Sequence, residues 1–186
     1  MKKIVIIAAM ALVSFSAYAQ KLARVNFSEL VQLMPEADQA RATLKAVSQE
    51  AEETLQTMYQ EYQTKMTQYQ QKSASWSDAI KKSKETELMD IQRRIEENQQ
   101  VFQQEIQQKQ SELMAPIYQK AQDAVKELAK SKGITALFDS SSALYFDESA
   151  VEDLTAAARK ALNIPADRTL EALQAELAAE QQAQQK

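Results

Sequence analysis

From Glu36 to Lys130 the chain contains no glycine and a single proline, Pro116, so about half of its 186 residues can hold unbroken helix. Apolar residues recur through the first part of this stretch with gaps of 3, 4 and 4: Leu44, Val47, Ala51, Leu55, Met58, Tyr62, Met66 and Tyr69. The rhythm returns at Ile80, Leu88, Ile91, Ile95, Phe102, Ile106, Leu113, Ile117, Ala121, Ala124 and Leu128, with Lys84, Gln99 and Gln110 in the remaining slots. An eleven-residue repeat of about 3.67 residues per turn favours long helices that are nearly straight or slightly right-handed. The stripe is narrow, so each helix needs a partner.

Little chain is left for a globular core, about 70 residues once the leader is set aside, which predicts a small body with long projections. The leader is Met1-Lys2-Lys3, an apolar run from Ile4 to Phe15, and Ala17-Tyr18-Ala19 before Gln20. That order is a secretory signal peptide cut after Ala19, since the apolar run is shorter than the roughly 20 residues of a membrane span. A soluble protein of the periplasm is expected. Removing Lys2 and Lys3 leaves 20 basic against 26 acidic side chains, a balance that argues against a nucleic-acid partner. With no cysteine and no histidine, disulfides, thiolate metal sites and the commonest catalytic bases are excluded.

Leu22-Ala23-Arg24-Val25-Asn26-Phe27 alternates apolar and polar side chains and predicts a half-buried strand with Val25 and Phe27 on one face. Ser28 is the expected cap of a single helical turn, Glu29 to Met34, and Pro35 marks the boundary before the first long helix, about Glu36 to Ser73. Ser73-Ala74-Ser75-Trp76-Ser77-Asp78 is the weakest helix-forming stretch and the expected turn. The repeat also runs through it in phase, which permits one continuous helix of about 140 Å. A hairpin is favoured because Gly133 is placed to end a returning helix behind Lys130 and Lys132. Two further strand-like runs follow, Ile134 to Phe138 and Ala143 to Phe146. Short strands need each other, in cis or between chains. Ser149-x-x-Glu152 has capping-box spacing and predicts a helix carrying Val151, Leu154, Ala158 and Leu162, ended by Pro165. The tail has Leu170, Leu173 and Leu177 at helical spacing, either as a packed helix or as a frayed end.

The strand Leu22 to Phe27, the polar helical middle, Gly133-Ile134-Thr135-Ala136-Leu137-Phe138-Asp139, Ala143-Leu144-Tyr145-Phe146 and Val151-Glu152-Asp153-Leu154-Thr155 together resemble the Skp (OmpH-like) family of periplasmic chaperones. The resemblance runs from about Lys21 to Leu162 and leaves the tail without a counterpart. It implies a mainly α fold with a small β body (α+β), in which long antiparallel helical hairpin arms project from a trimeric, strand-containing body. It also implies an ATP-independent holdase without a cofactor, whose partners are unfolded outer-membrane proteins. Mapped onto this chain, residues 1–19 are the signal peptide, 20–35 and 131–164 the oligomerisation body, 36–130 the arm with its tip near 73–78, and 165–186 the tail. Val25, Phe27, Leu30, Ile134, Leu137, Phe138, Leu144, Phe146, Val151 and Leu154 would build the body of a homotrimer.

Two features depart from the family. The chain is acidic where familiar members are basic, yet residues 62–84 hold Lys65, Lys72, Lys81, Lys82 and Lys84 against Asp78 alone, a basic tip with anionic lipid as a candidate contact. The competing reading is a solubilising tip. Pro116 inside the returning helix removes a backbone donor and is a hinge candidate. Tyr59, Trp76 and Met89 lie off or at the edge of the apolar stripe and are the client-binding candidates, weighed against packing within the arm. Arg93-Arg94 could pair with phosphate or with neighbouring Asp90, Glu96 and Glu97. Asp139-Ser140-Ser141-Ser142 reads as an inter-strand turn rather than a nucleophile loop, and Glu52-Glu53 and Glu96-Glu97 as solvated faces, so no catalytic or metal site is expected. The function alternative to a holdase is a structural coiled-coil protein that spaces or tethers the outer membrane.

Overall fold

A computed structural model of the chain describes residues 21 to 184, so the signal-peptide expectation lies outside the described residues. The chain forms two units, one of residues up to Leu33 together with Lys120 onward, the other of Met34–Gln119.

The first unit is organised on β1, Leu22–Val25, which lies between β2, Ala136–Asp139, and β3, Val151–Asp153, in a three-stranded parallel sheet of order β2-β1-β3. Leu22 pairs with Ala136 on one side and with Val151 on the other. The Thr135 N–H donates to the Lys21 carbonyl and the Leu154 N–H to the Arg24 carbonyl, at 2.8 and 2.9 Å, extending the ladders past the strand ends. Parallel neighbours require long crossovers, and the excursion of the chain through residues 34–119 supplies the first of them.

Alternation places Ala23 and Val25 in the core. Arg24 points to the other face, where its guanidinium lies 4.4 Å from the ring centre of Phe146 and pairs with Asp153 at 3.0 Å. Phe146 in turn meets Phe138, ring centres 6.5 Å apart.

Phe27 does not extend the strand; it opens α1, Phe27–Leu33. The reason is Asn26, whose Oδ1 accepts from the Glu29 N–H while its Nδ2 donates to Oε2 of Glu29, both at 3.1 Å, in a reciprocal cap that Ser28 was expected to provide. The run Ala143 to Phe146 is not a strand either. The third strand is Val151–Asp153, because Ser149 does not cap a helix: both its N–H and its hydroxyl donate to Oδ1 of Asp147, at 2.9 and 2.7 Å. The helix begins later, as α4, which follows the long α2, Pro35–Lys72, and α3, Asp78–Lys132, in chain order. It spans Thr155–Ala161, with the Thr155 N–H donating to Asp153 Oδ1 at 2.8 Å and the Thr155 hydroxyl accepting from the Asn26 N–H at 3.0 Å. The tail is a packed helix, α5, Leu170–Gln184, with Leu173 buried. Leu30, Leu33, Leu154 and Leu162 are the largest fully buried side chains of this unit.

Two helices of this unit stop in the same way. The Gly133 and Ile134 N–H groups donate back to Lys130 and Ala129, with Gly133 at φ +66°. The Asn163 and Ile164 N–H groups donate to Lys160 and Arg159, with Asn163 at φ 56°. These are paired 5→2 and 6→1 bonds around one left-handed residue, a position that glycine or asparagine takes at least cost.

The second unit is a helical hairpin. α2, Pro35–Lys72, carries proline at its first turn, and a short 3-10 turn at Ser73–Ser75 separates it from α3, Asp78–Lys132. The break falls where serine and aspartate weaken the helix, and the continuous-helix alternative is excluded. Along α2 the predicted stripe is buried at Ala51 and half-buried at Leu44, Val47, Leu55, Met58, Tyr62, Met66 and Tyr69. Along α3, Leu88, Ile91 and Ile95 are buried. Ile80 departs from the stripe and is 46% exposed, since it lies in the first turn of α3.

Candidate functional site: the helical arm

Polar rungs join α2 to α3 antiparallel. Gln99 Nε2 donates to the Tyr59 hydroxyl at 2.8 Å, Arg94 Nη2 to Glu61 Oε2 at 3.3 Å, Lys65 Nζ to Glu87, and the Tyr69 hydroxyl to Glu85. As the number on α2 rises the partner's number falls, which fixes the direction of the return. Hydrogen bonds from Lys65, then from Lys84, hold the Glu87 carboxyl down at about 2, and the same contact to Glu87 raises Lys65. The hydrogen bond to Glu85 raises the Tyr69 phenol.

These rungs change the basic tip. Residues 62–84 stop just short of Glu85 and Glu87, and Glu61 lies just before them. Lys65 and Lys84 both pair with Glu87, and Lys81 approaches Asp78 at 3.9 Å. Lys72 and Lys82 are exposed, with no carboxylate partner among the described residues. Most of the positive charge is thus spent on internal pairing. Arg93 is likewise occupied, by Glu97 at 3.0 Å and Asp90 at 3.3 Å.

Tyr59 is 44% exposed and Met89 61% exposed. Trp76 is half-buried and set edge-on against Tyr69, 5.8 Å between ring centres at 67°, so it closes the turn. The three candidates do not converge on one spot. Tyr59 lies with Leu55, Glu52, Gln56, Gln60 and Gln63 along a shallow groove of about 450 Å³ on α2. A smaller cleft of about 170 Å³ between the helices is lined by Val47, Ala51, Thr54, Phe102 and Ile106 with Glu50 and Glu105. Glutamine amides offer both donors and acceptors, and a tyrosine ring and a leucine supply apolar contact without a deep pocket. Such a surface suits weak, unselective contact with unpaired backbone. Pro116 lies inside α3 and is exposed.

Of the residues expected in the body, Val25, Leu30, Val151 and Leu154 are buried and Phe27, Ile134, Leu137, Phe138 and Phe146 half-buried. Leu144 is fully exposed, and Tyr145, which sequence reasoning passed over, is 87% exposed beside it. Arg24 was also missed, although a basic residue inside an apolar strand is a signal of a paired or stacked cation. Among the described residues no cluster of acidic side chains could hold a metal ion, and no helix is long and apolar enough to cross a membrane.

A small parallel sheet joined to one long antiparallel helical hairpin defines a hairpin-armed α+β protein. The family model described as outer membrane protein (OmpH-like) matches residues 21–162, and the chain belongs to that family. Its relatives include the chaperone protein Skp of Yersinia enterocolitica, 29% identical over 77% of this chain and 86% of the relative. The chaperone protein Skp of Pectobacterium atrosepticum is 26% identical over 74% of this chain and 82% of its own length. A solved OmpH-like structure from Caulobacter crescentus shares the fold with a TM-score of 0.68 at 14% identity, covering 77% of this chain and 83% of that one.

Proposed function

We propose that this protein is a chaperone that holds unfolded outer-membrane proteins in the periplasm, without nucleotide or cofactor. The observation that carries the reading is the arm: a hairpin whose apolar stripe is narrow, whose helices are cross-linked by polar rungs, and whose outer surface offers one glutamine-lined groove beside the exposed Tyr59, with Met89 exposed elsewhere. The Skp relatives, matched over most of their length, supply the class of activity. Export follows from the leader, with cleavage after Ala19. Three copies assemble through the body, where Leu144 and Tyr145 stand free to enter a neighbour. Pro116 lets each arm adjust to clients of different size, and Lys72 and Lys82 give the tip a weak attraction for anionic lipid.

The test is aggregation of a urea-unfolded β-barrel protein on dilution, with and without the mature chain. The proposal predicts suppression complete near one trimer per client. No suppression, with the protein instead sedimenting with outer-membrane vesicles, would overturn it in favour of an envelope tether.

A further inference from the structure

Arg159 is bonded to three residues in two separate stretches of chain, α1 and the turn at 165–168. Its Nη1 donates to Glu29 Oε1 on α1 at 2.6 Å, and its Nη2 donates to the carbonyl oxygens of Pro165, at 2.9 Å, and Arg168. The two charged side chains are only 16% and 22% exposed. A planar guanidinium fork can make these contacts together, which a lysine ammonium cannot.

Immediately beyond, the chain turns at Asn163 and Pro165, and Thr169 caps α5 by accepting from the Ala172 N–H at 3.1 Å. The helix α5 then lies against α1, with Leu173 only 4% exposed. The sequence of α1 requires such a neighbour. Leu30, Val31 and Leu33 are all buried, and at about 100° per residue they span an arc of roughly 160°, wider than one adjoining helix covers. α4 packs on α1, and α5 packs on it as well. The family match ends at residue 162, before α5 begins, so this helix follows the shared segment.

We propose that α5 is a clasp, latched by Arg159, that closes a second side of α1 and holds the body shut. It is a conformational device independent of what the arms hold. Leu173→Asp unseats the helix and Arg159→Lys weakens the latch without adding a buried charge. In the full chain, amide exchange across α1 and trypsin cleavage after Arg168 report the two ends of the clasp. The proposal predicts that Leu173→Asp speeds exchange in α1 at least tenfold and exposes the Arg168–Thr169 bond. Arg159→Lys should do the same more weakly, with the exchange of residues 55–69 unchanged in both. Faster cleavage with unchanged exchange in α1 would show α5 to be a passive tail and overturn the clasp. So would no change in either readout. If Leu173→Asp fails to fold, Arg159→Lys alone decides by the same criteria.

Discussion

Gly133→Ala isolates one backbone term. Gly133 sits at φ +66°, and a Cβ built there has no atom within 4 Å, so the substitution meets no steric clash. What remains is the left-handed backbone, which costs an L-residue with a side chain roughly 1–2 kcal/mol. Part of this is offset because alanine restricts the unfolded chain more than glycine does, leaving about 1 kcal/mol of destabilisation. For a unit of this size a loss of that order lowers the melting temperature by about 4–8 °C. The chain contains its own control. Asn163 holds the equivalent position after α4 at φ 56°, with the same pair of return bonds. Gly133→Asn should therefore cost less than half as much as Gly133→Ala, and Asn163→Gly should be close to neutral. The assay is thermal unfolding followed by circular dichroism, with all three variants at one protein concentration. A neutral Gly133→Ala, or an asparagine as costly as the alanine, would refute the claim that this residue stops α3 through its backbone conformation.

The ion pairs of the arm give a pH-dependent prediction. The Glu87 carboxyl is lowered in the fold, so its contribution is complete above its ordinary value of 4.5 and is lost as pH falls through about 2. Lys65 is raised, so its share is complete below 10.5 and is lost as pH rises through its shifted value. Glu87→Gln should thus weaken the arm at pH 7, and the difference from the parent should close between pH 4.5 and 2 in urea titrations; a constant difference would contradict the pairing. Ile91→Ala removes a residue that is 3% exposed and should destabilise the hairpin by about 2–5 kcal/mol. Hydrogen exchange should then rise in residues 55–69 and 85–98 but not in β1. Asn26→Ala deletes the cap of α1 and should cost about 1 kcal/mol, with Asn26→Asp recovering most of it in the same melting assay.

The hairpin was legible in the sequence because two signals coincide: an apolar stripe too narrow to stand alone, and a serine-rich interruption at 73–78 where side chains compete with the helix backbone. Gly133 was legible for the same kind of reason, since one residue type suits that conformation best. The body was harder. Three- and four-residue strands carry too little periodicity to be distinguished, and Val151–Asp153 is a strand because β1 has a free edge beside it, information that lies 129 residues earlier in the chain. Local motifs misled where a better local partner existed: Ser149 serves Asp147, and Asn26 displaces Ser28. The basic tip was half legible. Charge counting found the lysines, while the carboxylates that pair with Lys65 and Lys84 lay just outside the window counted.

The central claim is that the arm surface, rather than the buried stripe, holds the client. A photo-crosslinking amino acid placed in turn at Tyr59, Met89 and Ile91, in the presence of an unfolded outer-membrane protein, tests it most directly. Tyr59 and Met89 are exposed and Ile91 is buried between the helices. Strong adducts from the first two positions and almost none from the third are predicted. Equal capture at all three, or capture at Ile91 alone, would mean that the hairpin opens to bind, and would contradict the account.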